Sequence, residues 1–137
     1  MERIVVAVDD SEPSTRAAAA AERIAARVDF EVVVVHVLEV VYSGAAVWTP
    51  DMSESQAKEL VEGIAAGMTG RGIRARGVVC EAPQGRVAKE LLDVAADEEA
   101  EVVVVGSRGR SRLESVVLGS TAYRMVHLAK RPVLLVP

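Results

Sequence analysis

Four consecutive valines followed by a glycine, at positions 102–106, constrain the fold of this chain more than any other feature. The valine run is too short for a buried helix and consists of β-branched residues, so it predicts a strand covered on both faces. Glycines stand at Gly106, Gly109 and Gly119, with Ser120 and Thr121 behind the last, which gives the spacing G-x2-G-x9-G-S-T. Glycine at a strand end permits a positive φ and the close approach of another group to the backbone.

The residues after Gly119 have the composition of a helix, and the two hydroxyls are expected to cap it. The free N–H groups and positive dipole of a helix N-terminus attract phosphate. We therefore interpret the stretch as a phosphate cradle, in which Arg108 or Arg110 supplies counter-charge to the terminal phosphates. Each arginine taken alone is equally consistent with a solvated loop, and a single strand-end glycine is equally consistent with a plain turn.

The bulk composition indicates one domain, residues 1–137, with a core built from Val, Ala, Leu and Ile, because the chain contains only one Trp, two Tyr and one Phe. A net charge of −4 argues against a nucleic-acid or anionic-membrane surface. The single cysteine, Cys80, excludes an internal disulfide and fits a reducing compartment, so we expect a cytoplasmic protein. No apolar run approaches the roughly 18 residues of a membrane span, and no signal peptide is evident.

Strands and helices alternate along the chain, which predicts an open five-stranded parallel sheet of the α/β class with helices on both faces. The expected strands cover residues 3–8, 30–38, 73–80, 102–105 and 132–136, and the expected helices 14–28, 54–69, 86–99 and 120–130. The alternating third strand suggests a sheet edge. We expect residues 39–55 to form a loop that Val47 and Trp48 anchor. Ligands of such sheets bind beyond the carboxyl ends of the strands.

Two aspartates at the end of the first strand, Asp9 and Asp10, allow rival interpretations. The acidic pocket of a receiver domain would need an aspartate after the third strand, where Cys80 and Glu81 stand, so we reject it. The alternative is that one carboxylate accepts hydrogen bonds from an adenine or a ribose. For Asp10, an interaction with the dipole of the following helix is also consistent.

The sequence offers no recognisable catalytic or metal-binding set. His36 is expected to be a packed strand residue, and Cys80 a buried small residue rather than a nucleophile. Two distant histidines and one cysteine match no metal-ligand spacing. The Walker lysine motif, G-x-G-x-x-G and G-x-S-x-G are all absent. We therefore predict nucleotide binding without catalytic residues, and at most weak ATP hydrolysis.

Four segments together resemble the universal stress protein family over the whole chain: AVDDSE, HVLE, the glycine signature and the terminal RPVLLV. The resemblance implies a Rossmann-like fold of the adenine nucleotide alpha hydrolase type, with strand order 3-2-1-4-5. It implies ATP as the ligand, with Mg or Mn held through the phosphates rather than by protein ligands. It also implies a homodimer, formed through the last strand, Pro132–Val136.

Carried over residue by residue, the resemblance places the adenine at Asp9 and Val37. The nucleotide-binding positions are then Asp9, Val37, Gly106, Arg108, Gly109, Gly119, Ser120 and Thr121. The implied function is a nucleotide-dependent regulator of a stress response. A slow ATPase or another adenine-nucleotide hydrolase, and a dimeric scaffold with an unused site, are the alternatives. Neither the partner nor the role of residues 39–55 follows from the sequence.

Overall fold

The computed structural model describes residues 1–108 and 118–137 and shows helices on both faces of a mostly parallel sheet. The strands are β1 Arg3–Ala7, β2 Glu31–Ser43, β3 Ala46–Trp48, β4 Ala75–Pro83, β5 Val102–Gly106 and β6 Val133–Val136. The helices are α1 Glu12–Val28, α2 Glu54–Gly70, α3 Val87–Asp97 and α4 Ser120–Leu128. The α/β class is confirmed, and the element bounds differ from the predicted ones by a few residues except at the end of β2.

Five strands run parallel in the order β4-β2-β1-β5-β6. If β3 is left out and the five parallel strands are numbered from 1 to 5 along the chain, this order becomes 3-2-1-4-5, as predicted. The predicted count of five is wrong, because the described residues contain a sixth, short strand, β3, which pairs antiparallel with the end of β2. As expected for an edge strand, β4 pairs with β2 alone among the described strands.

The segment expected to be a loop, residues 39–55, instead begins as a β-hairpin. β2 continues to Ser43, and the chain turns back through Gly44, which has a φ of 59°. Val47 and Trp48 are 59% and 44% exposed, so the expectation that they anchor this segment is wrong. The segment lacks a clear apolar period, and its strand character comes from pairing rather than from burial.

The central strands separate two apolar layers by the alternation of their side chains. On one face, Ile4 and Val6 of β1 pack with α1 and α2; on the other, Val5 packs with α3 and α4. The chain thus places its first two helices on one face and its last two on the other. This reversal puts the switch point of the sheet between β1 and β5.

The helix starts follow local chemistry that the sequence makes visible. Ser11 caps α1 by accepting from the Ser14 N–H, and a capping box of Ser53 and Gln56 opens α2. α1 begins at Glu12, because Pro13 is accommodated in the first turn. Within the ranges that the structure describes, no helix is long and apolar enough to cross a membrane.

Candidate functional site

A pocket of about 230 Å³ lies at the switch point, beyond the carboxyl ends of β1, β2 and β5. Its wall combines apolar side chains of the sheet and of α3 with polar groups from the loops and helix starts. The lining residues are Ala7, Val8, Asp9, Ser11, Ser14, Val35, His36, Val37, Glu39, Asp51, Val87, Leu91, Val105, Gly106, Arg108, Gly119, Ser120, Thr121 and Ala122. In open α/β sheets this is the position where ligands bind.

Asp9 is held in a fixed orientation by the start of α1. Its Oδ1 accepts from the Ser11 N–H at 2.8 Å and from the Ser11 hydroxyl at 2.5 Å. The Ser14 hydroxyl accepts from the Asp9 N–H at 2.7 Å and lies 3.1 Å from the Asp9 carbonyl, to which it donates. No described residue donates to Oδ2, so this oxygen is available to a hydrogen-bond donor in the pocket.

The backbone of Val37 also points into the space where β1 has ended. The Val32 N–H donates to the Arg74 carbonyl on the β4 side, whereas the Val35 carbonyl accepts from Val8 on the β1 side. Since the backbone groups of a strand alternate in direction, the N–H and C=O of Val37 point toward β1. Among the described residues, the pairing of β1 with β2 stops at Ala7 and Val35, so Val37 presents a donor and an acceptor to the pocket.

The opposite end of the pocket is formed by the start of α4. The Gly119 N–H donates to the Ser107 carbonyl at 2.7 Å, and the first bond within the helix runs from the Tyr123 N–H to the Gly119 carbonyl. The N–H groups of residues 120–122 lie between these two bonds and have no acceptor within the helix. All three residues line the pocket, which gives it a row of backbone donors at a positive helix end.

Two details of the glycine interpretation are wrong. Gly119 itself is the N-cap of α4, with φ −68° and ψ 161°, and no side chain caps the helix. The expected caps, Ser120 and Thr121, are instead the first helical residues. Gly106 is not among the described glycines with positive φ; a Cβ there would lie 2.9 Å from Pro13 Cβ and 3.0 Å from Pro13 C. The close approach at Gly106 is therefore that of α1.

The charges around the pocket are divided between its two ends. Arg108 lines the pocket directly after β5, whereas the carboxylate of Asp9 follows β1 and that of Glu39 belongs to β2. A ligand with an anionic group at one end and hydrogen-bond donors at the other matches this division.

The structure brings seven of the eight predicted site residues to one pocket: Asp9, Val37, Gly106, Arg108, Gly119, Ser120 and Thr121. Gly109 and Arg110 lie outside the described residues. The sequence analysis missed the pocket residues of α3, Val87 and Leu91, since only the crossing of that helix over the sheet brings them there. Ser14 was also missed. Its position three residues after the N-cap Ser11 could have indicated that it lies at the same helix start, beside Asp9.

Two further side chains with potential chemistry, Cys80 and His36, are partly or fully buried in the sheet. Burial raises the pKa of the Cys80 thiol to about 11, with a smaller contribution from Glu90, so Cys80 is a poor nucleophile, as predicted. His36 is buried in β2, also as predicted. In the described part of the chain, no group of three or more His, Cys, Asp or Glu residues is placed to hold a metal ion.

A doubly wound parallel sheet with a pocket at its switch point defines the open α/β class of proteins, whose ligands bind at that point. Within that class, residues 1–137 match the model of the universal stress protein family. The chain belongs to this family. The resemblance to this family is thereby confirmed.

A universal stress protein of Thermus aquaticus is 34% identical over 136 residues, which are 97% of this chain and 96% of that protein. The structure of a universal stress protein from Archaeoglobus fulgidus matches with a TM-score of 0.80 at 25% identity, covering 100% of this chain and 99% of the other.

Two further structures contain nucleotides. One is an Archaeoglobus fulgidus universal stress protein in complex with dAMP, with a TM-score of 0.73, 21% identity, and coverage of 100% and 98% of the two chains. The other is a universal stress protein in complex with cAMP, with a TM-score of 0.64, 22% identity, and coverage of 99% and 97%. At these identities the likeness shows the fold.

Proposed function

We propose that the pocket binds an adenine nucleotide, specifically ATP with Mg or Mn held through its phosphates, and that the protein is a nucleotide-dependent regulator of a stress response. The observation that carries the proposal is the meeting of the α4 N-terminus with the ends of β1 and β2 in one pocket. The two related structures that hold dAMP and cAMP support an adenine nucleotide as the ligand class.

The base lies at the β2 end of the pocket in this proposal. The edge of adenine carries an amino group beside a ring nitrogen, so it offers one donor next to one acceptor. The carbonyl and N–H of Val37 complement that pair, and Asp9 Oδ2 accepts from a second amino hydrogen or from a ribose hydroxyl. Val105 and Leu91 supply the apolar wall against the ring faces.

The phosphates lie at the start of α4. The N–H groups of residues 120–122 and the hydroxyls of Ser120 and Thr121 act as donors, and Arg108 adds a charge-assisted contact. The net charge of −4 and the single cysteine support the remaining parts of the proposal: no nucleic-acid partner and a cytoplasmic location.

A short hydrogen-bonded path supports a regulatory role. The Ser107 carbonyl accepts from the Gly119 N–H, and the Ser107 N–H donates to the Val136 carbonyl at 2.8 Å. A nucleotide bound at Gly119 is therefore two hydrogen bonds away from β6, the edge strand of the proposed homodimer. Phosphate binding and the position of that edge are coupled through Ser107 in this proposal.

Titration calorimetry with ATP, ADP and AMP, each with and without Mg²⁺, tests the proposed ligand. We expect micromolar ATP binding that weakens as phosphates are removed and in the presence of EDTA. Mass spectrometry of nucleotide released from freshly purified protein is the complementary measurement. If no adenine nucleotide binds in any of these titrations, the proposed function is wrong although the fold stands.

The Asp9→Asn variant tests the base end of the site. The amide oxygen retains the acceptor for Ser11, so we expect the melting temperature to change little. The second carboxylate oxygen becomes a donor, and we expect the Kd for ATP to rise about tenfold, or about 1.4 kcal/mol. Asp10→Asn is the control for charge, because Asp10 does not line the pocket. Equal affinities of the two variants would contradict the role of Asp9.

We propose in addition that two copies pair through the last strand, Pro132–Val136. Among the described strands β6 pairs with β5 alone, and Leu134 is 38% exposed at this edge. The Pro132 carbonyl accepts from Val103 of β5 and the Val136 carbonyl from Ser107 directly after it. The backbone groups of Val133 and Leu135 therefore point to the open edge. An unpaired edge of this kind favours pairing with a second strand.

The dimer is tested by light scattering of the Leu135→Pro variant. Proline removes an edge-facing N–H without removing a bond to β5, so we expect the mass to fall from that of a dimer to that of a monomer. Leu135→Ala is the control, because it shortens the same side chain and keeps the N–H. A wild-type protein that is monomeric at all concentrations tested would rule out this interface.

A further inference from the structure

His36 is a polar residue in the valine-rich strand β2, and its two ring nitrogens have different environments. Nδ1 lies 2.6 Å from the Val8 carbonyl oxygen, and since a carbonyl only accepts, Nδ1 carries the hydrogen. Nε2 is buried and has no hydrogen-bond partner in the part of the chain that the structure describes. A buried polar atom without a partner is destabilising, so a histidine at this position costs stability through Nε2. We therefore ask what its other nitrogen, Nδ1, contributes.

The Nδ1 contact occurs at the point where the pairing of β1 with β2 stops. The Val8 N–H still donates to the Val35 carbonyl at 2.8 Å. In a continued parallel ladder, the next bond would run from the Val37 N–H to the Val8 carbonyl. No such bond forms among the described residues; the Val8 carbonyl accepts from the imidazole instead.

A carbonyl oxygen can accept two hydrogen bonds, so it is the direction of the imidazole that bears on the Val37 N–H. Side chains alternate across a strand, so His36 lies on the same face as Val32 and Val34, which pack toward α1 and α2. The Val37 N–H lies in the plane of the sheet. A carbonyl aimed at a donor above this plane is turned away from the amide within it.

We infer that His36 is a positioning residue that holds the Val8 carbonyl and so keeps the Val37 N–H free for the base of the nucleotide. The contact of the Val37 N–H with a nucleotide rests on the proposed function. The role of His36 in ending the pairing of β1 with β2 is independent of it. The same contact fixes the residue directly before Asp9, the other group at the base end of the pocket. Although His36 lines the pocket, its inferred effect on the ligand runs through the Val8 carbonyl and the Val37 N–H.

The test compares His36→Leu with His36→Asn by amide exchange and by ATP affinity. Leucine removes the donor, so the Val8 carbonyl becomes available to Val37. We expect the Val37 amide of the ligand-free variant to exchange at least tenfold more slowly and the Kd for ATP to rise about tenfold. Since the unpartnered Nε2 is also removed, the melting temperature is expected to stay the same or to rise.

Asparagine provides the rescue, because its amide nitrogen is bonded to Cγ, as Nδ1 is in histidine. We expect His36→Asn to keep the wild-type exchange rate at Val37 and an ATP affinity within about threefold of the wild type. If His36 has only a structural role, both variants should have lower melting temperatures and the wild-type exchange rate at Val37. That result would overturn the inference.

The two proposals fail in distinguishable ways. If the wild-type protein binds no adenine nucleotide, the proposed function is wrong, and the exchange rates of Val37 still decide whether His36 ends the ladder. If the wild type binds ATP and His36→Leu binds it equally well, the proposed function stands and the inference about His36 is overturned.

Discussion

The Gly119→Asp variant is expected to bind ATP at least 100-fold more weakly than the wild type while keeping a fully stable α4. Gly119 is an N-cap in the extended conformation, which any residue adopts, and aspartate is among the preferred N-cap residues. Helix stability should therefore rise by a few tenths of a kcal/mol. The carboxylate, however, occupies the donors and the positive field that the phosphates need. Two like charges about 4 Å apart near a protein surface repel by about 4 kcal/mol.

Gly119→Asn is the matched control for this experiment. It has the same size and capping ability as aspartate but carries no charge, so we expect a loss of affinity well below that of Gly119→Asp. Calorimetry gives the affinities, and thermal unfolding verifies that both variants fold. If Gly119→Asp binds ATP as tightly as Gly119→Asn, the phosphates do not lie at the start of α4.

The Gly106→Ala variant is expected to lose about 1–3 kcal/mol of unfolding free energy. An added Cβ would lie 2.9 Å from Pro13 Cβ and 3.0 Å from Pro13 C, and neither atom belongs to a flexible side chain. Either the start of α1 or the end of β5 has to move. Because Asp9 and Arg108 are attached to these two elements, we expect ATP affinity to fall together with stability. Denaturant unfolding and calorimetry measure the two effects.

Gly63→Ala is the control for glycine replacement. Gly63 lies within α2, and an added Cβ there meets no atom within 4 Å. Alanine is the better helix former, so this variant should gain about 0.5–1 kcal/mol and bind ATP normally. If Gly106→Ala is as stable as the wild type, the contact between β5 and Pro13 is looser than the distances indicate.

These predictions separate residues that act on the ligand from residues that hold the site in shape. Gly119 and Asp9 are proposed to meet the nucleotide, so their conservative replacements change affinity and leave the melting temperature nearly unchanged. Gly106 and His36 act through Pro13 and Val8 respectively. Their replacements are therefore recognised by a change in stability or in amide exchange, measured in the absence of any ligand.

Much of the fold follows from the sequence because its determinants are local. The valine runs determine the central strands, the alanine-rich segment determines α1, and the residues Ser11, Ser53 and Gln56 determine two helix starts. The positions of most candidate site residues also follow from the sequence. A residue at the carboxyl end of a parallel strand reaches one edge of the sheet wherever that strand lies.

What only the tertiary structure decided depends on contacts between segments distant in the sequence. The hairpin of β2 and β3 exists because two irregular segments pair, and Trp48 stays exposed because no described element covers it. Pro13 is the neighbour that requires glycine at position 106, and Val8 is the carbonyl that His36 holds. The sequence determines which central strands form. The register between strands, set by packing of the whole sheet, decides where a ladder ends and which backbone groups remain for a ligand.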